Sequence, residues 1–385
     1  IAFLHYRSTP FFIERSKLTH GATPIYDTAL SFAASSEDPI SGGRHKVIGS
    51  KKLNIPPQTS TIASHLPKAV GTAVSIDRAK DLSIQERNLK DGSIVLCSFG
   101  DASANHATAL SAFNTASLIQ HSGGHVPIVF ICEDNGIGIS VPTEESWIEK
   151  NFSQRNGIKY IKADGLNIIE LLHKTSLANE FSKTKRKPVF LHMKTVRLLG
   201  HAGSDIEVGY KTLNEIETIE FNDPLLHTAR IMIDKKLLSK EDIISIYENS
   251  RMRVSQVFDQ ACTRPKLNNS KNVMKSITAS NIKRKTPSLP NEAKRREVFD
   301  KEYQRLNNKN HMAGLINSAL SDILLRYSNT VVFGEDVGKK GGVYHITANL
   351  QKQFGARRVF DSPLDETSII GFASGFGHNG FVTIP

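Results

Sequence analysis

The sequence is poor in cysteine, tryptophan and methionine: 385 residues hold three Cys, one Trp and five Met. Three cysteines cannot build a disulfide framework. Cys97 and Cys132 lie inside apolar, strand-like runs, where a buried reduced thiol is the usual state, so a reducing compartment fits this usage. No uninterrupted apolar run approaches the ~18–20 residues of a membrane span. The longest candidates, such as Val126–Cys132, have the length of a buried strand. Internal repeats are absent as well. With 39% hydrophobic and 23% charged residues, collagen-like, mucin-like and fully disordered classes are excluded. What remains is a globular chain with room for two or three domains of about 100–200 residues each.

The net charge is +11, which on its own suggests an acidic partner such as nucleic acid. Its distribution argues otherwise. Residues Arg264–Asn310 hold 13 basic and 4 acidic side chains, so most of the excess lies in one segment. That segment is rich in Asn, Ser, Lys and Pro, and its first part lacks hydrophobic periodicity. It reads as a solvated basic linker with a helix near Asn291–Leu306. The expected organisation is a first part over 1–263, a linker over 264–310 and the start of a second part over 311–385. The chain begins at Ile1 without an initiator Met and stops inside the apolar stretch Phe381–Pro385. It therefore reads as a piece of a longer protein, incomplete at both ends.

In the first part, Ser93–Phe99 is an apolar run ending at Gly100-Asp101, and Ala104–Gln120 follows at helical spacing. Val126–Cys132 ends at Glu133-Asp134-Asn135-Gly136. Gly165–Lys185 reads as an amphipathic helix and Pro188–Met193 as another buried strand. This alternation predicts an α/β fold, a parallel sheet flanked by helices. Ligands of such sheets bind outside the carboxyl ends of the strands. Gly100-Asp101, Asp134-Asn135 and Arg197–Asp205 all follow strand ends, so topology alone brings three polar loops to one rim. After the linker, Ala313–Arg326 reads as a helix, Thr330–Gly334 and Arg358–Phe360 as strands, and Ile369–Gly380 as a glycine-rich helix built for close packing.

Asp101 and Asn135, 34 positions apart, can offer a carboxylate and an amide oxygen to one hard cation. Mg²⁺ binds through a few protein oxygens plus substrate phosphates, and free N–H groups at the start of Ala104–Gln120 would favour phosphate. Taken alone, an Asp is as often a helix cap and Asn-Gly a turn.

Gly100-Asp101 through Asn135 resembles the thiamine-diphosphate motif, which begins Gly-Asp-Gly and ends in Asn about thirty residues later. His5-Tyr6-Arg7, Gly42-Gly43-Arg44-His45, Ser60–Gly71, Gly138–Pro142 and Val196–Asp205 resemble the α part of the first component of 2-oxo acid dehydrogenase complexes. Phe333–Val337, Gly341–Tyr344 and Arg358–Glu366 resemble the opening of its β part. Both on one chain resemble the fused α–β form, over nearly everything but the linker. The second part is then the start of a pyrimidine-type domain.

The resemblance implies thiamine diphosphate and Mg²⁺ as cofactors. Asp101 and Asn135 would be side-chain metal ligands, and Ile137 would offer its carbonyl. Tyr6, Arg7 and Arg197 would meet the diphosphate, with Gly100, Ala102, Ser103 and Ser60 beside the cofactor. Ile62 would be the bulky residue that holds it bent, and Leu364 a further contact; on the plainer reading Ile62 is a buried residue at a helix start. His201 and His45 match active-site histidines, suited to proton transfer. Glu366 matches the β-part glutamate whose hydrogen bond to the aminopyrimidine favours the imino tautomer.

There are departures. Ala102 replaces the third glycine of the motif, and its Cβ would crowd the diphosphate. Asp134 replaces the first of two usual asparagines. Ala202 stands where mitochondrial members carry a regulatory phosphoserine, which implies no phosphorylation control there.

The implied activity is oxidative decarboxylation of a 2-oxo acid, with acyl transfer to the lipoyl group of a separate acyltransferase. The preferred substrate is branched-chain, 3-methyl-2-oxobutanoate, and pyruvate stays open. The resemblance further implies a homo-oligomer and neither a membrane nor a nucleic-acid partner. It implies a cytoplasmic enzyme if bacterial, or one of the mitochondrial matrix if eukaryotic. The rivals are a transketolase or simple decarboxylase and, in another class, an interaction or nucleic-acid-binding protein acting through the basic linker.

Overall fold

A computed structural model describes residues 1–58, 61–278 and 288–385. The chain forms two compact units: Ile1–Ala63, Leu96–His106 and Val129–Ser280 make the first, and Ser64–Val95, Ala107–Ile128 and Asn281–Pro385 the second.

The first unit is built on a five-stranded sheet. Its strands run in the order Ala2–Phe3, Val95–Gly100, Ile128–Asp134, Val189–Lys194, Lys159–Asp164. Ala2–Phe3 pairs parallel with Val95–Gly100, and Val189–Lys194 pairs parallel with both its neighbours. The inner strands are apolar because both their faces are covered: Cys97, Phe99, Val129, Phe130, Val189 and Phe190 are all buried. Lys159–Asp164 has no counterpart in the sequence reading. It alternates at the sheet edge with only Ala163 buried, so it carries no apolar run. The helix Ile168–Lys185 packs on the last two strands, its first turn capped by Asn167 Oδ1, which accepts from the Ile169 and Glu170 N–H groups.

The expected helix over Ala104–Gln120 divides. A single turn spans Asp101–Ala104, and the long helix starts only at Ala107 and runs to His121. The N–H groups nearest Asp101 therefore belong to the short turn. Residues after Arg264 continue onto this unit: Arg264 forms a two-pronged pair with Glu37, and Arg44 donates to the carbonyls of Asn272 and Val273.

The second unit centres on a three-stranded parallel sheet, Val359–Asp361, Thr330–Gly334, Val382–Ile384. Phe333, Phe360, Phe372, Phe376 and Phe381 pack ring against ring, some stacked and some tilted or edge-on. Burying each such side chain is worth about 1.5–3 kcal/mol. The guanidinium of Arg78 lies 3.9 Å over the Phe360 ring. The glycine-rich segment forms the helix Glu366–His378, which packs on the helix Leu66–Asp81. Here the glycines are required. A Cβ on Gly375 would sit 2.4 Å from the Lys68 carbonyl oxygen, so the two backbones touch. Two-pronged contact of Arg295 with Asp322 ties the helix Glu292–Phe299 to Met312–Arg326. Among the described residues no helix is long and apolar enough to cross a membrane.

Candidate functional site

Two strand ends of the first unit, Gly100 and Asp134, open directly into the loops that carry Asp101 and Asn135. Asp101 is 2% exposed. Its Oδ2 accepts a hydrogen bond from the Thr143 hydroxyl at 3.0 Å, and its carboxylate also accepts from the backbone N–H groups of Ala102 and Asn135. The structure therefore brings the Asp101 carboxylate against the backbone of Asn135. Burial raises the Asp101 pKa and the nearby Asp134 charge adds to this, while the three donors oppose it. The Asn135 Oδ1 accepts from its own turn, at Ile137 N–H, 3.1 Å away.

The loop beyond Asn135 is tightly constrained. Ile137–Gly138 pairs antiparallel with Val141–Pro142, and Thr143 N–H donates to the Gly136 carbonyl. A Cβ on Gly138 would lie 2.8 Å from the Ala102 Cβ. The methyl group that departs from the glycine motif thus faces Gly138. Ile139, β-branched, holds φ at 57°, a strained conformation of about 1–3 kcal/mol. Its carbonyl accepts from Arg197 Nη1 at 2.7 Å.

Arg197 is 9% exposed. Its Nη2 donates to the Tyr210 hydroxyl, which donates to Asp205 Oδ2, and that same oxygen accepts from the His201 N–H at 2.6 Å. The Arg197 Nε is buried and has no hydrogen-bond partner among the described residues. The His201 pKa is lowered, by burial first and then by the charges of Arg7 and Arg197. Its imidazole is accordingly neutral at neutral pH. Arg7 lies 4.8 Å over the Tyr6 ring, Tyr6 stacks on His5, and Lys46 Nζ donates to the Tyr6 carbonyl.

Behind this rim runs a second network that the sequence reading does not contain. The His192 side chain, 2% exposed, meets Asp134 Oδ2 through Nε2 at 2.7 Å and the Tyr160 hydroxyl through Nδ1 at 2.6 Å. A carboxylate can only accept, so Nε2 donates to Asp134, while Nδ1 shares a hydrogen bond with the Tyr160 hydroxyl. Lys194 Nζ reaches the same Asp134 oxygen at 3.2 Å. Burial alone would raise the Asp134 pKa, but the bonds from His192 and Lys194 outweigh it and hold the carboxyl below its usual range. Asp134 Oδ1 accepts from Gly136 N–H, which fixes the turn that presents Asn135.

Of the other expected site residues, Gly100 caps the short turn in an extended conformation and Ser103 lies within it, its carbonyl accepting from His106 N–H. Ile62 is not the buried start of a helix. It is 50% exposed on the turn ahead of Leu66, because the helix begins four residues later. His45 is exposed, its backbone held by Ser41 Oγ. Among the described residues no hydrogen bond joins its side chain to the Asp101 cluster. Ser60 lies outside the described residues. Leu364 and Glu366 belong to the second unit, where Leu364 is 84% exposed and Glu366 opens the helix Glu366–His378. Thr143, Tyr210 and Asp205 join these networks without a sequence signal of their own, although Asp205 closes a quoted motif and Thr143 directly follows another.

These residues fit a diphosphate held through a divalent cation. The unpartnered Nε of Arg197 is a donor still to be satisfied. Among the described residues no group of three or more His, Cys, Asp and Glu side chains is gathered for a metal. The oxygens these two loops would offer are one carboxylate, one amide and one carbonyl. That small, hard donor set is what Mg²⁺ takes when phosphates complete its shell.

Comparison with known proteins identifies a family. The profile of the family described as "Dehydrogenase E1 component" matches residues 2–270, and that of "Transketolase, pyrimidine binding domain" matches residues 309–385. The mitochondrial 2-oxoisovalerate dehydrogenase subunit alpha of Mus musculus is 27% identical over 229 residues, 58% of this chain and 48% of that protein. The mitochondrial pyruvate dehydrogenase E1 component subunit alpha of Dictyostelium discoideum is 27% identical over 186 residues, 48% of each. A human testis-specific pyruvate dehydrogenase E1 component subunit alpha is 30% identical over 174 residues, 45% of this chain and 44% of that protein. The chain spans about half the length of the curated relatives it matches. With a family profile running through both strand-end loops and on to residue 270, the chain belongs to the dehydrogenase E1 component family, in a form that carries a transketolase-type pyrimidine-binding domain on the same polypeptide.

Proposed function

We propose that the protein is a thiamine-diphosphate- and Mg²⁺-dependent 2-oxo acid dehydrogenase that decarboxylates its substrate and passes the acyl group to the lipoyl group of a partner acyltransferase. The preferred substrate is 3-methyl-2-oxobutanoate. Pyruvate is the second reading, supported by the pyruvate dehydrogenase subunits among the relatives. The observation that carries the proposal is the junction of the Asp101 carboxylate with the Asn135 turn, together with the unsatisfied Nε of Arg197, whose Nη1 holds the Ile139 carbonyl in the loop beyond Asn135.

Asp101, Asn135 and the Ile137 carbonyl would hold the cation. Arg197, Arg7 and Tyr6 would hold the diphosphate, the guanidinium groups through charge-assisted hydrogen bonds. When bound, thiamine diphosphate would supply carbanion stabilisation at the substrate carbon that loses CO₂. Glu366 would orient the pyrimidine end through its carboxyl group. His201, kept neutral by burial and by Arg7 and Arg197, would accept or return a proton at its ring nitrogen, with His45 as a second such group.

The test is a lipoamide-linked assay of the full-length protein with thiamine diphosphate, Mg²⁺ and either 3-methyl-2-oxobutanoate or pyruvate. Acyl transfer to lipoamide is the expected result, faster with the branched acid. Release of free aldehyde as the sole product would reject the dehydrogenase reading in favour of a simple decarboxylase.

A further inference from the structure

Asp365 stands immediately before Glu366 and caps its helix. Its Oδ2 accepts three hydrogen bonds: from the Ser111 hydroxyl at 2.5 Å, from the Ser368 N–H at 3.3 Å, and from the Ser368 hydroxyl. Ser368 is 1% exposed and also meets the Thr115 hydroxyl at 2.7 Å. The Ser368 proton is committed to the carboxylate, so Thr115 must be the donor to Ser368. Every hydroxyl proton in this cluster therefore runs toward one carboxylate oxygen.

Capping alone does not account for this arrangement. A neutral Ser or Asn at position 365 would satisfy the Ser368 N–H. The two extra donors, Ser111 and Thr115, both come from another helix, Ala107–His121, which begins six residues after Asp101 in the sequence. The loop before Asp365 is held from its other side, where Ser362 N–H donates to the carbonyl of Gly334 at the end of a sheet strand. The first turn of the Glu366 helix is thereby anchored to a second helix and to the sheet.

We propose that Asp365 is a positioning residue that sets the place of Glu366, through a hydroxyl-to-carboxylate network with Ser111, Ser368 and Thr115. This rests on the reading of Glu366 as the group that meets the cofactor's aminopyrimidine. Asp365 touches neither substrate nor cofactor. It fixes the helix turn from which the Glu366 side chain extends, and a shift of about 1 Å in such a group is enough to cost about 100-fold in rate.

The experiment compares Asp365→Ala, Asp365→Asn, Ser111→Ala and Glu366→Gln in the full chain. Three readouts are taken: thiamine diphosphate binding by calorimetry with Mg²⁺ present, the near-ultraviolet circular dichroism band of the bound cofactor, and turnover. Asp365→Ala is expected to bind cofactor within about threefold of the parent yet lose the band and about 30-fold in turnover. Ser111→Ala should weaken the band and cost about threefold, and Asp365→Asn, which keeps an acceptor oxygen, should restore both. Glu366→Gln separates the two ideas. If it leaves band and turnover intact, the role given to Glu366 is wrong. If it removes both while Asp365→Ala and Ser111→Ala retain both within about twofold, the positioning role is overturned. Should Asp365→Ala fail to fold, Ser111→Ala decides alone, an unchanged band refuting the proposal and a weakened one supporting it.

Discussion

Thr143 donates its hydroxyl proton to Asp101 across 42 positions of sequence, at 3.0 Å. Thr143 follows the short antiparallel pair that closes the Asn135 loop, so this bond, together with that from the Asn135 N–H, joins the two loops that would share a cation. Replacing Thr143 by the isosteric Val removes the bond and keeps the shape. A hydrogen bond to a charged group is worth about 1.5–3 kcal/mol, so Mg²⁺-supported binding of thiamine diphosphate should weaken about tenfold or more. Calorimetric titration checks this, and an unchanged affinity would remove Thr143 from the site.

The buried His192–Asp134 pair makes a stability prediction. His192→Phe leaves Asp134 buried with Lys194 as its one remaining charged partner among the described residues. Loss of about 2–3 kcal/mol is expected in urea unfolding. Tyr160→Phe removes the outer bond alone and should cost about 1 kcal/mol. The two losses should be less than additive in the double variant, because Tyr160 acts on Asp134 only through the imidazole.

Gly138 and Ala102 are coupled by contact. Gly138→Ala places a methyl 2.8 Å from the Ala102 Cβ, and overpacking of this kind costs about 1–3 kcal/mol. Adding Ala102→Gly should recover most of the thermal stability lost. A double variant no better than Gly138→Ala would show that the crowding lies elsewhere.

Asp365 links structure to pH. Burial opposes its ionisation, but hydrogen bonds from Ser111 and Ser368 prevail and lower its pKa from 3.8. A lowered carboxyl pKa means the unfolded chain takes up the proton first as pH falls. The stabilisation is present in full above the unfolded value and is lost as pH drops through the folded value. The melting temperature of the parent should therefore fall on acidification below about pH 4, and Asp365→Asn should show a flatter profile there. Parallel profiles would show that the carboxylate charge at 365 does not contribute.

The amino-acid order by itself determined the strand–helix alternation and the positions of the polar loops. Apolar runs such as Ile128–Asp134 form strands wherever they lie, and parallel connection places their carboxyl ends on one edge. The loops that carry Asp101, Asn135 and Arg197 were legible for that reason, while the roles given to those residues came from the family resemblance; the close packing demanded by Gly375 was legible as well. Only the tertiary structure decided the partners of those groups. His192 finds Asp134 over 58 positions and Ser111 finds Asp365 over 254, and such pairs depend on strand register and on backbones approaching to contact. Register and approach are set by the packing of whole elements, so no local pattern announces them. The polar edge strand Lys159–Asp164 escaped notice for the same reason, since it is a strand because Val189–Lys194 offers it a ladder.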